Sequence, residues 1–124
     1  MRELLMNTKE KVMSLKDIQK QVDDWINLHK EGYWPPFEMF THLEQEAGEL
    51  GREISHIHGH EKKKKGHKTK GLGGEIADML FSLFCIANFH GIYDLNKAFQ
   101  RMMKQKQQGR DKDRFKKREE EKNV

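Results

Sequence analysis

Among the 124 residues there is a single cysteine, Cys85, set within an apolar stretch. No internal disulfide can form, which removes the staple of many small secreted domains and fits a reducing cytoplasm. Proline occurs only twice, at Pro35 and Pro36, so one point of the chain is closed to a continuous helix. The longest apolar run, Met79–Phe89, is interrupted by Ser82 and is too short to span a bilayer. No positively charged segment leads into an apolar one near Met1, so no secretory signal is expected. Strand-like alternation of polar and apolar residues is missing throughout. Hydrophobic residues make up 35% and charged residues another 35%, which leaves room for one small core plus tail or loop. The expectation is one all-α domain, small enough for oligomerisation to complete its core.

The formal net charge of +4 hides a division. Glu61–Lys70 carries +5 and Arg101–Val124 another +5, so the body between and before them carries −6. A nucleic-acid binder should place its positive charge on a folded face. Here an acidic body carries a basic loop and a basic tail, which suits an acidic metal site with cations able to reach phosphates.

Residues 1–13 lack periodicity and are expected to be a flexible start. Ser14 and Asp17 have capping-box spacing, opening a helix with the apolar stripe Leu15, Ile18, Val22, Trp25 and Ile26. Glu31-Gly32-Tyr33-Trp34-Pro35-Pro36 ends it, and Pro36 can begin the next. That second helix is expected to reach about His58, with Phe40, Leu43, Ala47, Leu50 and Ile54 as its core stripe and Glu46, Glu49 and Glu53 alongside. Gly48 within it suggests a close helix contact. A basic, glycine-rich loop follows, its mobile part placed at 59–73. The third helix starts near Gly74 and ends at Gly91, a good C′ residue with Ile92 beyond it. It is apolar nearly all round, which marks a central core helix, apart from one polar seam of Glu75, Asp78, Ser82 and Cys85. Asp94 caps a fourth helix bearing Leu95, Ala98, Phe99, Met102 and Met103. The domain is placed at 14–110, with a charged tail at 111–124.

Glu46 and Glu49 are spaced i,i+3, and so are Glu75 and Asp78. On a helix each pair stacks two carboxylates on one face, about 5–6 Å apart at Cβ. Like charges at that spacing oppose helix formation, and the third helix has little polar face to spare. Buried charges must be paired or must ligate metal. An all-oxygen donor set favours Mg²⁺ or Mn²⁺ over zinc or copper. His56, His58, His60 and His67 are read as a solvated histidine set with zinc binding as the alternative, and Lys62–Lys65 as a solvated run with phosphate steering as the alternative. Trp25 is assigned to the core and Trp34 to a ligand-facing position. Cys85 is read as core rather than nucleophile.

Leu43-Glu44-Gln45-Glu46-Ala47-Gly48-Glu49-Leu50, followed by Gly74-Glu75-Ile76-Ala77-Asp78-Met79-Leu80, resembles the paired acidic motif of MazG-like nucleotide pyrophosphohydrolases, nearest to the small single-domain bacillar members. Lys30-Glu31-Gly32-Tyr33, Ala87-Asn88 and Arg110-Asp111-Lys112-Asp113-Arg114 extend the resemblance over most of Leu15–Arg114. It implies a four-helix bundle completed as a homodimer or homotetramer. The implied activity is Mg²⁺-dependent hydrolysis of (deoxy)nucleoside triphosphates to a monophosphate and pyrophosphate, with Mn²⁺ as a substitute ion and nucleotide-pool housekeeping as the role. By resemblance, Glu46, Glu49, Glu75 and Asp78 match the metal-binding, catalytic acids, while Lys106 and Arg110 match basic groups that reach substrate phosphates. The chain departs from the family where two consecutive glutamates are common, having Gln45-Glu46, and Gln108 stands near a frequent late Asn. Two rival classes stay open. One is a ferritin-like di-iron protein, for which Glu53-Ile54-Ser55-His56 fits one Glu-x-x-His motif where two are needed. The other is a non-enzymatic helical module binding nucleic acid or protein.

Overall fold

A computed structural model describes residues 12–59, 70–109, 113–116 and 118. Four helices follow in order: α1 (Leu15–Asn27), α2 (Pro36–His58), α3 (Gly71–Phe89) and α4 (Leu95–Gln108), with no strand among the described residues. The packing centres on an α2–α3 pair, with α1 lying against α3 and α4 against α1.

The local signals explain most boundaries. Ser14 Oγ accepts from the Asp17 amide at 3.1 Å while the Ser14 amide donates to Asp17 Oδ2 at 3.0 Å, completing the capping box of α1. Pro36 occupies the first turn of α2, where a missing N–H costs nothing. At the end of α3, Gly91 takes φ 76°, the Ile92 amide donates to the Ala87 carbonyl at 2.8 Å, and the Gly91 amide to that of Asn88 at 3.0 Å. Those two bonds form a Schellman motif. Asp94 caps α4 by accepting from the Asn96 amide.

Other expectations are corrected. α3 starts at Gly71, not near Gly74: the glycines that read as a loop form its first turn, with Gly71 itself at φ 75°. His60, His67 and Lys62–Lys65 lie outside the described residues, as do 1–11 of the N-terminal segment. On α2, the expected core stripe faces outward. Phe40, Ala47 and Ile54 are exposed and Leu43 and Leu50 half-buried, whereas Met39, Glu46 and Glu53, at steps of seven, are buried. The acid-bearing stripe is the one turned to α3. Gly48 is exposed, and a Cβ there would meet nothing within 4 Å, so the anticipated close contact is not made among the described residues.

The core gathers Val22, Met39, Phe84 and Cys85, flanked by Leu15, Ile18, Ile26, Tyr33, Phe81, Ile86 and Leu95. α3 shows an inversion of its apolar character. Its polar seam faces inward, with Glu75, Ser82, Cys85 and Asn88 buried, while Ile76, Leu80 and Leu83 are exposed. Starting at Gly71 makes this helix 19 residues long, and by length and composition alone it is apolar enough to cross a membrane. Its acids packed against α2 mark it instead as the central helix of the bundle.

Candidate metal centre

Helix pairing brings together three of the four acids singled out by the sequence. One carboxylate oxygen from each of Glu46, Glu75 and Asp78 lies within 4.8 Å of the other two. Glu46 and Glu75 are each only 6% exposed. Glu46 Oε2 and Glu75 Oε2 are buried with no hydrogen-bond partner among the described residues. Glu49 is exposed at the rim, yet it acts on both.

Electrostatics show how poorly this cluster is neutralised from within. Desolvation, then the charges of Glu49 and Asp78, push the Glu46 carboxyl above its ordinary range. Desolvation and the charge of Glu49 do the same to Glu75, with a side-chain hydrogen bond to Glu49 adding to the rise. Two carboxylates in hydrogen-bonding contact must share a proton or a cation. The opposing groups are few. Lys70 Nζ sits 2.5 Å from Asp78 Oδ2, and that hydrogen bond and charge raise the lysine. His42 Nε2 lies 3.1 Å from Glu46 Oε1. Orphaned, buried, all-oxygen donors are what a hard divalent cation needs, so these residues fit one, with Glu46, Glu75 and Asp78 as ligands.

The remaining sequence-predicted residues fall as follows. Trp34 is exposed and meets the His42 ring edge-on, centroids 5.4 Å apart, so it reaches the acids through one intermediary. Lys106 is exposed on the last turn of α4, which packs on α1, while the basic side chains that meet the acids among the described residues are Lys70 and His42. Arg110 lies outside the described residues. Trp25 is not a core residue: it is exposed and lines a cavity with Trp34. Cys85 is buried, and burial pushes its thiol up to about 11, which leaves it inert. Glu53 is buried and His56 half-buried with its side chain covered, Nδ1 to Oε2 3.9 Å, but they stand outside the three-acid group, and α3 supplies no second Glu-x-x-His.

Sequence reading missed His42 and Lys70. His42 had a signal, its i,i+4 spacing to Glu46. Lys70 had none, since its partner lies eight residues away across a helix start.

The same stretch of chain matches known proteins. Residues 36–115 match the model of the MazG nucleotide pyrophosphohydrolase domain. The uncharacterised protein YpjD of Bacillus subtilis (strain 168) is 44% identical over 107 residues, which are 86% of this chain and 95% of that protein. The crystal structure of YPJD from Bacillus subtilis, described as a candidate pyrophosphatase, superposes with a TM-score of 0.66 at 42% identity, covering 75% of this chain and 94% of that one. A Bacillus-conserved MazG protein, described as a nucleotide pyrophosphohydrolase, gives 0.65 at 36% identity, covering 77% and 90%.

Proposed function

The chain belongs to the MazG nucleotide pyrophosphohydrolase family, and on that premise we propose that it hydrolyses (deoxy)nucleoside triphosphates to the monophosphate and pyrophosphate in a Mg²⁺-dependent reaction. The observation that carries this reading is the set of uncompensated oxygens on Glu46 and Glu75 beside Asp78. Glu46, Glu49, Glu75 and Asp78 form the catalytic set, the first, third and fourth as direct ligands and Glu49 at the rim. A divalent cation held there, Mg²⁺ or Mn²⁺, supplies Lewis acidity and neutralises phosphate charge. The protein's own part is positioning and electrostatics, which is most of what phosphoryl chemistry requires. His42 braces Glu46, and Lys70, last residue of the basic loop, offers its ammonium at the edge of the acids to an incoming phosphate. Lys106 and Arg110 serve the outer phosphates, and Trp34 faces the nucleoside. Gln45 has no ionisable side chain, so the set operates without a base at that position.

Assembly is part of the proposal. Ile76, Leu80 and Leu83 on α3 and Phe40, Ile54 and Ile57 on α2 are exposed. Large apolar side chains left exposed on paired helices suit an interaction surface, and a homodimer or homotetramer in the cytoplasm would cover them. Housekeeping of the nucleotide pool follows from the reaction class. A panel of nucleoside triphosphates assayed for pyrophosphate release with and without Mg²⁺, on protein sized by sedimentation, tests the reading. Pyrophosphate release that requires the metal, from an oligomer, is expected. Orthophosphate release, or no turnover of any nucleotide, contradicts it.

A further inference from the structure

A cavity of about 350 Å³ opens between α1, the segment leading into α2, the first turns of α2, and α3, and His42 on its wall also meets Glu46. Its walls include four aromatic rings, Trp25, Tyr33, Trp34 and Phe81. Trp25 meets Phe81 edge-on with centroids 6.0 Å apart. The polar groups on these walls are few, and most are already engaged. The Tyr33 hydroxyl donates to Asp23 Oδ1 at 2.5 Å and accepts from Asn88 Nδ2 at 3.1 Å. His29 Nδ1 lies 2.9 Å from the Trp25 carbonyl, and His42 Nε2 faces Glu46.

Glu31 also lines the cavity but is exposed; Ser82 is the buried polar side chain left unmet. It lines the cavity, is only 3% exposed, and its Oγ has no partner among the described residues. A serine inside a helix commonly bonds back to the carbonyl four residues earlier; this one does not. Leaving a buried hydroxyl unmet costs about 1–3 kcal/mol, a cost that a ligand atom can remove.

We propose that Ser82 is a specificity-determining residue whose hydroxyl reads the edge of a nucleobase seated among Trp25, Tyr33, Trp34 and Phe81. The inference rests on the nucleotide reading of the acid site. Ser82 follows Asp78 by four residues on α3, so the two positions are separated by about 6 Å along the helix axis. A ribose linking a base in the cavity to a phosphate at the acids fits that separation. Flat aromatic walls suit a base of any identity, because every base has a π-face. One uncommitted hydroxyl at depth then separates bases that present a polar atom there from bases that present C–H or methyl.

Trp25 and Trp34 are the only tryptophans in the chain, and both line the cavity, so intrinsic fluorescence reports its occupancy without any need for turnover. Wild type and Ser82→Ala are titrated with the adenine, guanine, cytosine and uracil nucleoside monophosphates, each as ribose and deoxyribose forms. Wild type is expected to favour one or two bases, and Ser82→Ala to bind those about 10-fold more weakly while the others hold, the worth of one hydrogen bond. The melting temperature of Ser82→Ala should be unchanged or higher, since it removes an unmet hydroxyl. An unchanged base ranking in a folded Ser82→Ala overturns the proposal. So does a change confined to the ribose–deoxyribose ranking, and so does an absence of any quenching. Base discrimination that depends on Ser82 in a protein that releases no pyrophosphate would instead sink only the hydrolase reading.

Discussion

Near the C-terminal end of α3, Asn88 is 2% exposed and fully engaged, whereas near its N-terminal end Glu75 is 6% exposed and holds an oxygen that no group among the described residues meets. Asn88 Nδ2 donates to the Gln19 carbonyl at 3.0 Å and to the Tyr33 hydroxyl at 3.1 Å, while its Oδ1 accepts from Gln19 Nε2 at 3.2 Å. Gln19, 1% exposed, also donates to the Ile92 carbonyl at 2.7 Å and accepts from the Leu95 amide at 2.8 Å. One cluster thus ties α1, α3, the start of α4 and the segment bearing Tyr33 together with every polar group matched. The other packs three carboxylates against one lysine and one histidine. Burial alone does not separate the two; satisfaction does. A matched buried network specifies structure, and an unmatched one of a single charge sign is waiting for a ligand.

Substitution should therefore act oppositely at the two ends. The largest effect is expected at the acids: Glu46→Gln or Asp78→Asn lowers pyrophosphate release by about 100-fold or more, the scale seen when metal-site groups are lost. The melting temperature of metal-free Glu46→Gln stays level or rises, because a repelling buried charge has gone. A folded variant with wild-type turnover breaks the comparison. A smaller effect of the other kind is expected from Asn88→Ala, which orphans groups on Gln19 and Tyr33. It should cost about 2–3 kcal/mol, a fall in melting temperature on the order of 10–20 °C for a domain of this size. The folded fraction should keep its affinity for divalent cations. Equal stability in Asn88→Ala would mean that the matched network is ornamental.

The legibility of the sequence divides along the same line. Caps and helix ends were readable because their signals are local: Ser14 with Asp17, Pro36 at a first turn, Gly91 before Ile92. The acid motif was readable for the same reason, since i,i+3 spacing fixes a shared face before any tertiary contact exists. What could not be read depends on pairing between distant segments. Gln19 and Asn88 are 69 residues apart, and nothing in either neighbourhood announces the match. The face of α2 that turns inward was misassigned because its apolar stripe, Phe40 to Ile54, is the more hydrophobic one, and hydrophobicity does not say whether a stripe meets its own chain or a second copy. Trp25 was misplaced for a related reason: it lies at core spacing on α1, but the helix ends within two residues and opens the cavity there.

Binding of a divalent cation to the acids is the claim on which the rest depends, and calorimetric titration of the metal-free protein with Mg²⁺ and with Mn²⁺ reads it most directly. Because desolvation raises Glu46 and Glu75 above the ordinary carboxylate value of 4.5, cation binding should release protons, and apparent affinity should strengthen as pH rises above that value. Saturable binding accompanied by proton release, and lost in Glu75→Gln, is the expected result. No saturable binding, or binding of equal strength in Glu75→Gln, would contradict it.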